Sequence, residues 1–243
     1  MIDIHCHILP DIDDGPESLE ESLEMVRMAA LSGVTDIIAT PHFTGERKNL
    51  PRLEDVMEQY VLLAGAIRAA GLPVMLHPGV EVLCKGQTPE LARRGQLPTL
   101  GQTPYVLMEF PFAEAFNYIT EILQGVAAWG YQPVVAHPER YACIQRDPRL
   151  LEHWFRRGYV IQLNKGSILG TLGEGAKNTA FWLLDRGLAH IVASDAHGVG
   201  HRNPDMAPLW ELLDSMYREE FVHLLLEENP RLLLEGRDMV CVI

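Results

Sequence analysis

Seven short apolar runs, each followed by a loop or a helix-patterned segment, constrain this chain more than any other feature. The runs cover residues 1–4, 36–40, 74–76, 105–108, 133–136, 160–163 and 190–193. Helical patterns fall at about residues 18–31, 53–70, 89–94, 116–129, 150–157 and 177–186. The last 40 or so residues also read as helix, punctuated by Pro204, Pro208 and Pro230. Ser18 with Glu21 spells a capping box, and Gly33 follows as a stop signal. Leu19, Leu23, Val26 and Ala30 recur at helical spacing and are expected to form the buried stripe of that helix. Near-continuous apolar strands belong in a parallel sheet with helices on its faces. Repeated βα units over 243 residues predict an α/β fold: a distorted, TIM-like (β/α)7 barrel, with residues 1–243 as a single domain. The alternative is a doubly wound open sheet. No GxGxxG follows the first run, which weakens its dinucleotide-binding version.

In a parallel barrel the active site is built at the C-terminal strand ends. Here the first run ends in His5-Cys6-His7, the second in Thr40-Pro41-His42, and the third leads into Pro78-Gly79-Val80-Glu81. The fourth ends in Glu109, the fifth in His137-Pro138-Glu139-Arg140, and the seventh in Ser194-Asp195-Ala196-His197. In an extended segment, residues two apart point the same way, so His5 and His7 can bind one cation together, as can Asp195 and His197. Mixed imidazoles and carboxylates suit Mn²⁺, Fe²⁺ or Zn²⁺. Asp14 sits among Asp11, Asp13 and Gly15 in a turn, and the three acids compete for any metal role. His153 and His223 lie in helical patterns, His190 starts a strand at the wrong end, and His77 is near enough to Glu81 for a supporting role.

The formal net charge of −13 and the lack of a Lys/Arg cluster argue against nucleic-acid binding. An acidic phosphate-binding protein draws its local positive charge from bound cations. Cys6, Cys84, Cys143 and Cys241 are scattered, which predicts reduced thiols rather than a disulfide framework or a zinc knuckle. The opening Met-Ile-Asp-Ile-His lacks a signal-peptide layout, and no apolar stretch reaches ~18 residues. The expectation is a soluble, cytoplasmic protein with no membrane insertion. The acidic face of the helix near residues 18–31 could serve subunit contacts in an oligomer or remain solvated.

Together, MIDIHCHILPDIDDGPES, IIATPH, PGVE, VLMEF, VVAHPERY and IVASDAH resemble the PHP (polymerase and histidinol phosphatase) superfamily. They look most like the bacterial manganese-dependent protein-tyrosine phosphatases of capsule and exopolysaccharide loci. The resemblance runs to about residue 235. It implies a three-metal site, with Mn²⁺ first and Fe²⁺/Fe³⁺ or Zn²⁺ as alternatives. By that resemblance His5, His7, Glu81 and Asp195 hold one ion, and Glu81 bridges to a second completed by Glu109 and His137. Asp14, His42 and His197 hold the third. Arg140 and Arg202 match the phosphate-binding arginines. The implied substrate is a phosphotyrosine-bearing protein, a bacterial tyrosine kinase, hydrolysed by metal-activated hydroxide. The general acid is left open between a metal-bound water, His201 and Asp195.

Competing readings make different demands. Histidinol-phosphate phosphatase, or another small-molecule phosphoesterase, shares much of the metal set. Amidohydrolases commonly use a bridging lysine at a middle strand end, where this chain has Glu109; Lys165 comes later. A cysteine-dependent phosphatase needs Cys with Arg six residues on. Cys143 and Arg149 meet that spacing, but the loop between them carries Asp147 and Pro148 and no Gly. A non-enzymatic binding module would be expected to have lost ligands, and none is missing here.

Overall fold

The computed structural model describes residues 1–44 and 51–241. Its strands are β1 (Ile2–Cys6), β2 (Asp36–Ala39), β3 (His42–Phe43), β4 (Met75–Pro78), β5 (Glu81–Leu83), β6 (Tyr105–Glu109), β7 (Gln132–Ala136), β8 (Val160–Asn164) and β9 (Ile191–Ala193). The helices are α1 (Leu19–Leu31), α2 (Leu53–Ala69), α3 (Thr88–Arg93), α4 (Phe116–Ala127), α5 (Ala142–Arg146) and α6 (Leu151–Phe155), then α7 (Lys165–Leu169), α8 (Glu174–Leu184), α9 (Ala207–Met216), α10 (Glu219–His223) and α11 (Asn229–Leu234). A π-helical turn, Leu224–Glu228, joins the last two. Every strand pair is parallel.

The strands form two sheets, ordered β1-β2-β4 and β3-β5-β6-β7-β8-β9. The seven staves are present, but the second and third are each broken in two. Residues 36–40 were expected to run on to His42 as one strand end; instead His42 begins β3, just as Glu81 begins β5. Proline explains the breaks: Pro41 and Pro78 cannot donate to a ladder. Gly79 makes the second crossing possible. A Cβ there would fall 2.7 Å from Ile38 Cγ2 and 3.2 Å from Ala39 O. The pairing resumes beyond the break, where Glu81 N donates to Pro41 O at 3.0 Å.

The ring is not closed by a continuous ladder. β1 meets the segment after β9 through an isolated bridge between Cys6 and Ala196. Asp195 N donates to His5 O and His7 N to Ala196 O, both at 2.8 Å. Beneath this seam the buried Asp3 carboxylate accepts from Ser194 N at 3.0 Å and from the Ser194 hydroxyl. His5-x-His7 and Asp195-x-His197 are thereby laid side by side, although 190 residues separate them.

Strand residues alternate between two apolar clusters. Ile37, Met108, Val135, Ile161 and Val192 join Met25, Leu63, Ile119 and Trp154 from the helices. Ile38, Leu107, Val134, Val160 and Ile191 form the second cluster, together with Leu100 and Leu233. Two residues beyond Leu107 on the same side comes Glu109, and beyond Val160 come Gln162 and Asn164. The apolar filling thus gives way to polar side chains towards the C-terminal strand ends.

Several local expectations shift. Only half the capping box forms: Ser18 Oγ accepts from Glu21 N at 3.2 Å, but Glu21 Oε2 accepts from Glu17 N. The fully buried residues of α1 are Ser22, Met25, Val26 and Ala29, so its core stripe is rotated; Leu19, Leu23 and Ala30 are partly buried. The expected 150–157 helix shortens to α6, and the 177–186 helix begins earlier, at Glu174. Helices α5 and α7, five residues each, are too short to leave a periodic pattern.

Candidate metal centre

Each ligand type expected at a strand end arrives at one place. His5 Nε2 lies 3.3 Å from His7 Nε2, 3.3 Å from Glu81 Oε1 and 3.5 Å from Asp195 Oδ1. His7 Nε2 is 3.3 Å from Glu81 Oε2 and 3.7 Å from Asp195 Oδ1. His137 Nε2 is 3.2 Å from Glu81 Oε1 and 3.6 Å from Glu109 Oε1. Asp14 Oδ1 is 3.4 Å from His197 Nε2 and 3.6 Å from His42 Nε2. His42 faces two ways, because its Nδ1 is 3.2 Å from Glu81 Oε2 and 3.8 Å from Glu109 Oε2. Among the described residues, His7, Asp14, His42 and His197 form one group of donor atoms close enough to share a cation. His5, His7 and Glu81 form another, and His42, Glu81 and Glu109 a third.

These contacts fit cations better than hydrogen bonds. His42 Nδ1 lies 3.2 Å from a carboxylate oxygen of Glu81 and is buried, yet makes no hydrogen bond. A buried polar atom without a partner calls for an explanation such as an ion. Imidazole nitrogens and carboxylate oxygens converging at 3.2–3.7 Å are spaced as ligands around a shared centre. Burial grades across the site: Glu81 is 1% exposed, whereas the Asp14 side chain is 61% exposed.

Asp13, one of the three competing acids of the turn, and two residues that no motif flagged, Gln162 and Asn164, hold the cluster's side chains in place. Asp13 Oδ2 accepts from His7 Nδ1 at 2.7 Å and from His42 N at 2.9 Å, and its Oδ1 accepts from Gly15 N at 3.0 Å. Both oxygens of Asp13 are therefore engaged, and Asp14 is the acid of that turn with an oxygen facing His42 and His197. The backbone at Asp11 is left-handed (φ 51°), and its N–H donates to Pro16 O. His5 Nδ1 bonds Gln162 Oε1 at 3.0 Å, and Asn164 Nδ2 donates to Asp195 Oδ2. His197 Nδ1 donates to its neighbour Asp195 O at 3.0 Å. Each such bond fixes a tautomer and turns the other nitrogen to the cluster. The signal for Gln162 and Asn164 was present: two polar residues, two apart, in the one strand whose end carries no His, Asp or Glu.

His137 (φ 34°) and Asp195 (φ 50°) also occupy the left-handed region. That conformation costs a non-glycine residue about 1–3 kcal/mol, and such strain gathers at functional sites.

The electrostatics differ from one group of the cluster to the next. Burial alone would lower the His5 pKa, but Glu81 and Asp195 outweigh it and lift it to about 9. Burial, reinforced by Glu81, pushes the Glu109 carboxyl up to about 8. Burial would raise Asp195 too, yet His5, His137 and Arg202 hold it at about 2. These neighbours favour the ionised form of Asp195. Burial lowers His42, His137 and His197, which leaves them neutral and able to donate a lone pair.

The two arginines converge on the same carboxylate. Arg202 Nη2 is 2.7 Å from Asp195 Oδ1, and Arg140 Nη1 is 3.3 Å from Asp195 Oδ2. Lys165 holds the Arg202 loop: its buried ammonium donates to Asn203 O and, at 2.9 Å, to Asp205 O. It is engaged there and does not serve as a bridging ligand, which removes the amidohydrolase comparison's main requirement. Cys143 sits on α5, and Arg149 forks onto Asp147 at 2.7 and 3.0 Å, so no phosphate cradle links them. His77 pairs with Asp36 at 2.8 Å and takes no part in the cluster. Burial lowers His190 to about 4; its Nδ1 accepts from Ile161 N.

Comparison with known proteins agrees with this picture. The tyrosine-protein phosphatase YwqE of Bacillus subtilis is 37% identical over 98% of this chain and 92% of its own length. The tyrosine-protein phosphatase CpsB of Streptococcus pneumoniae is 29% identical over 95% of this chain and 97% of its own. A solved structure from the crystallography of YwqE and CpsB, described as unique metal-dependent tyrosine phosphatases, superposes with a TM-score of 0.92 at 35% identity. It covers 100% of this chain and 97% of that one. No helix among the described residues is long and apolar enough to cross a membrane. Residues 1–235 match the family described as capsular polysaccharide synthesis, CpsB/CapC, and the chain belongs to that family.

Proposed function

We propose that the chain is a metal-dependent phosphatase, acting in the cytoplasm on phosphotyrosine in a protein, a tyrosine kinase of capsule or exopolysaccharide synthesis. Residues 1–243 then form one catalytic domain. The observation that carries this reading is convergence: nine candidate ligands and both arginines meet at one end of the ring, with Asp195 in contact with both sets. In this reading His5, His7, Glu81 and Asp195 hold one cation. Glu81, Glu109 and His137 hold a second, and Asp14, His42 and His197 a third, with Mn²⁺ the first choice of metal. Bound divalent cations supply Lewis acidity, polarising phosphoryl oxygens and acidifying water towards a pKa of ~7.

Arg140 and Arg202 present forked donors to the phosphoryl oxygens, a geometry lysine lacks. Asp195 orients both guanidinium groups until the anion arrives. In this reading Asp195, held ionised by His5, His137 and Arg202, acts as ligand and orienting group, and the proton for the leaving group comes from a metal-bound water or His201. A phenol leaving group, with a pKa of ~10, needs less protonation than an alkyl alcohol. The partly exposed rim, with Asp14 open to solvent, suits a residue presented by a protein surface. With Mn²⁺ bound, the expected result is turnover of a phosphotyrosyl peptide well above that of histidinol phosphate. Equal or reversed preference would move the assignment to a small-molecule phosphoesterase.

Asp13 is expected to act through His7. Asp13→Ala removes the acceptor that fixes the His7 tautomer, and should weaken metal affinity about 10–100-fold, as loss of such orienting partners does elsewhere. Metal titration by calorimetry reads this directly. Unchanged affinity would return Asp13 to a purely local turn role.

A further inference from the structure

We infer that Phe112 is the specificity-determining residue for aryl esters, stacking on the ring of the leaving group. This rests on the phosphatase reading and names what that site selects. Phe112 follows β6 by three residues and is 41% exposed, so part of its ring is open to solvent. It is nevertheless held in place: its carbonyl accepts from Ala142 N at 2.7 Å, and Glu114 N donates to Pro111 O beside it. Its ring lies edge-on to His137 with centroids 5.9 Å apart, and the Arg140 guanidinium carbon sits 4.3 Å from its centroid. Phe112 therefore touches both a candidate ligand and a candidate phosphate-binding arginine while part of its surface remains open.

An aryl ester carries its ring one oxygen atom from phosphorus. A phosphoryl group held by Arg140 brings that ring within reach of Phe112, since aromatic pairs settle with centroids about 4.5–7 Å apart. An alkyl phosphate binds the same arginines and gains nothing from the phenylalanine.

The test compares phenylphosphonate with methylphosphonate, two non-hydrolysable anions, by calorimetry on the Mn²⁺-loaded full chain. The parent is expected to bind phenylphosphonate about tenfold more tightly, equivalent to about 1.4 kcal/mol. Phe112→Ala should erase that preference and leave methylphosphonate affinity within about twofold, and Phe112→Trp should retain it. The same preference in Phe112→Ala as in the parent overturns the inference. So does equal weakening of both anions, which would make Phe112 a support for Arg140 alone. A parent that shows the Phe112-dependent preference but turns over no phosphotyrosyl peptide sinks the phosphatase reading and leaves the aryl site standing. A parent that binds neither anion overturns both.

Discussion

Asp195→Asn is expected to lower kcat/KM for a phosphotyrosyl peptide by about 10³-fold, the scale of losing one preorganised electrostatic group at a reaction centre. The side chain keeps its shape, and asparagine tolerates the left-handed backbone at this position better than alanine does. What it loses is the charge that His5, Arg140 and Arg202 all face. His7→Ala should be as severe, because His7 belongs to two of the three donor groups. Circular dichroism and thermal melting of the metal-free variants separate a lost site from a lost fold. Turnover within a few-fold of the parent in either variant would count decisively against the metal reading.

Removal of metal is expected to abolish turnover, and thiol alkylation to leave it intact. Cys6 and Cys84 are buried, and burial pushes both thiols well above their ordinary range. The Cys143 thiol is raised by burial as well. None has the low pKa of a nucleophilic cysteine. EDTA followed by Mn²⁺ should therefore switch activity off and on, and iodoacetamide should do neither. The sign of the pH dependence follows from the raised groups. Protons on His5, at about 9, and Glu109, at about 8, compete with the metal at lower pH. Metal affinity should rise as pH increases from 7 to 9, with proton release on binding. Activity that survives exhaustive chelation but falls to iodoacetamide would instead favour a cysteine nucleophile.

The βα rhythm, the strand ends and the polar side chains that gather there were legible because each depends on local periodicity. An apolar strand that terminates in His or Glu is a pattern within ten residues. The breaks at Pro41 and Pro78-Gly79 were less legible. A proline removes one donor, but whether the chain stops or crosses to a second sheet depends on what packs beside it, here Ile38 and Ala39. The rotated stripe of α1 has a similar cause: the face a helix buries is set by the sheet beneath it, and Ser22 satisfied its hydroxyl on Ser18 O while going inward.

The amino-acid order by itself determined which side chains could reach the C-terminal ends of the strands, because alternation along an extended chain is a covalent fact. Tertiary structure alone decided which of them meet. The pairing of His5 with Asp195 needed the β1–β9 seam, and the different surroundings of Asp13 and Asp14 needed His7 and His42 in position to share one oxygen of Asp13 while Gly15 N took the other. Gln162, Asn164 and Phe112 acquired their places only through neighbours distant in sequence. Contacts across such separations depend on how the whole chain closes, and no window of a few residues contains that information.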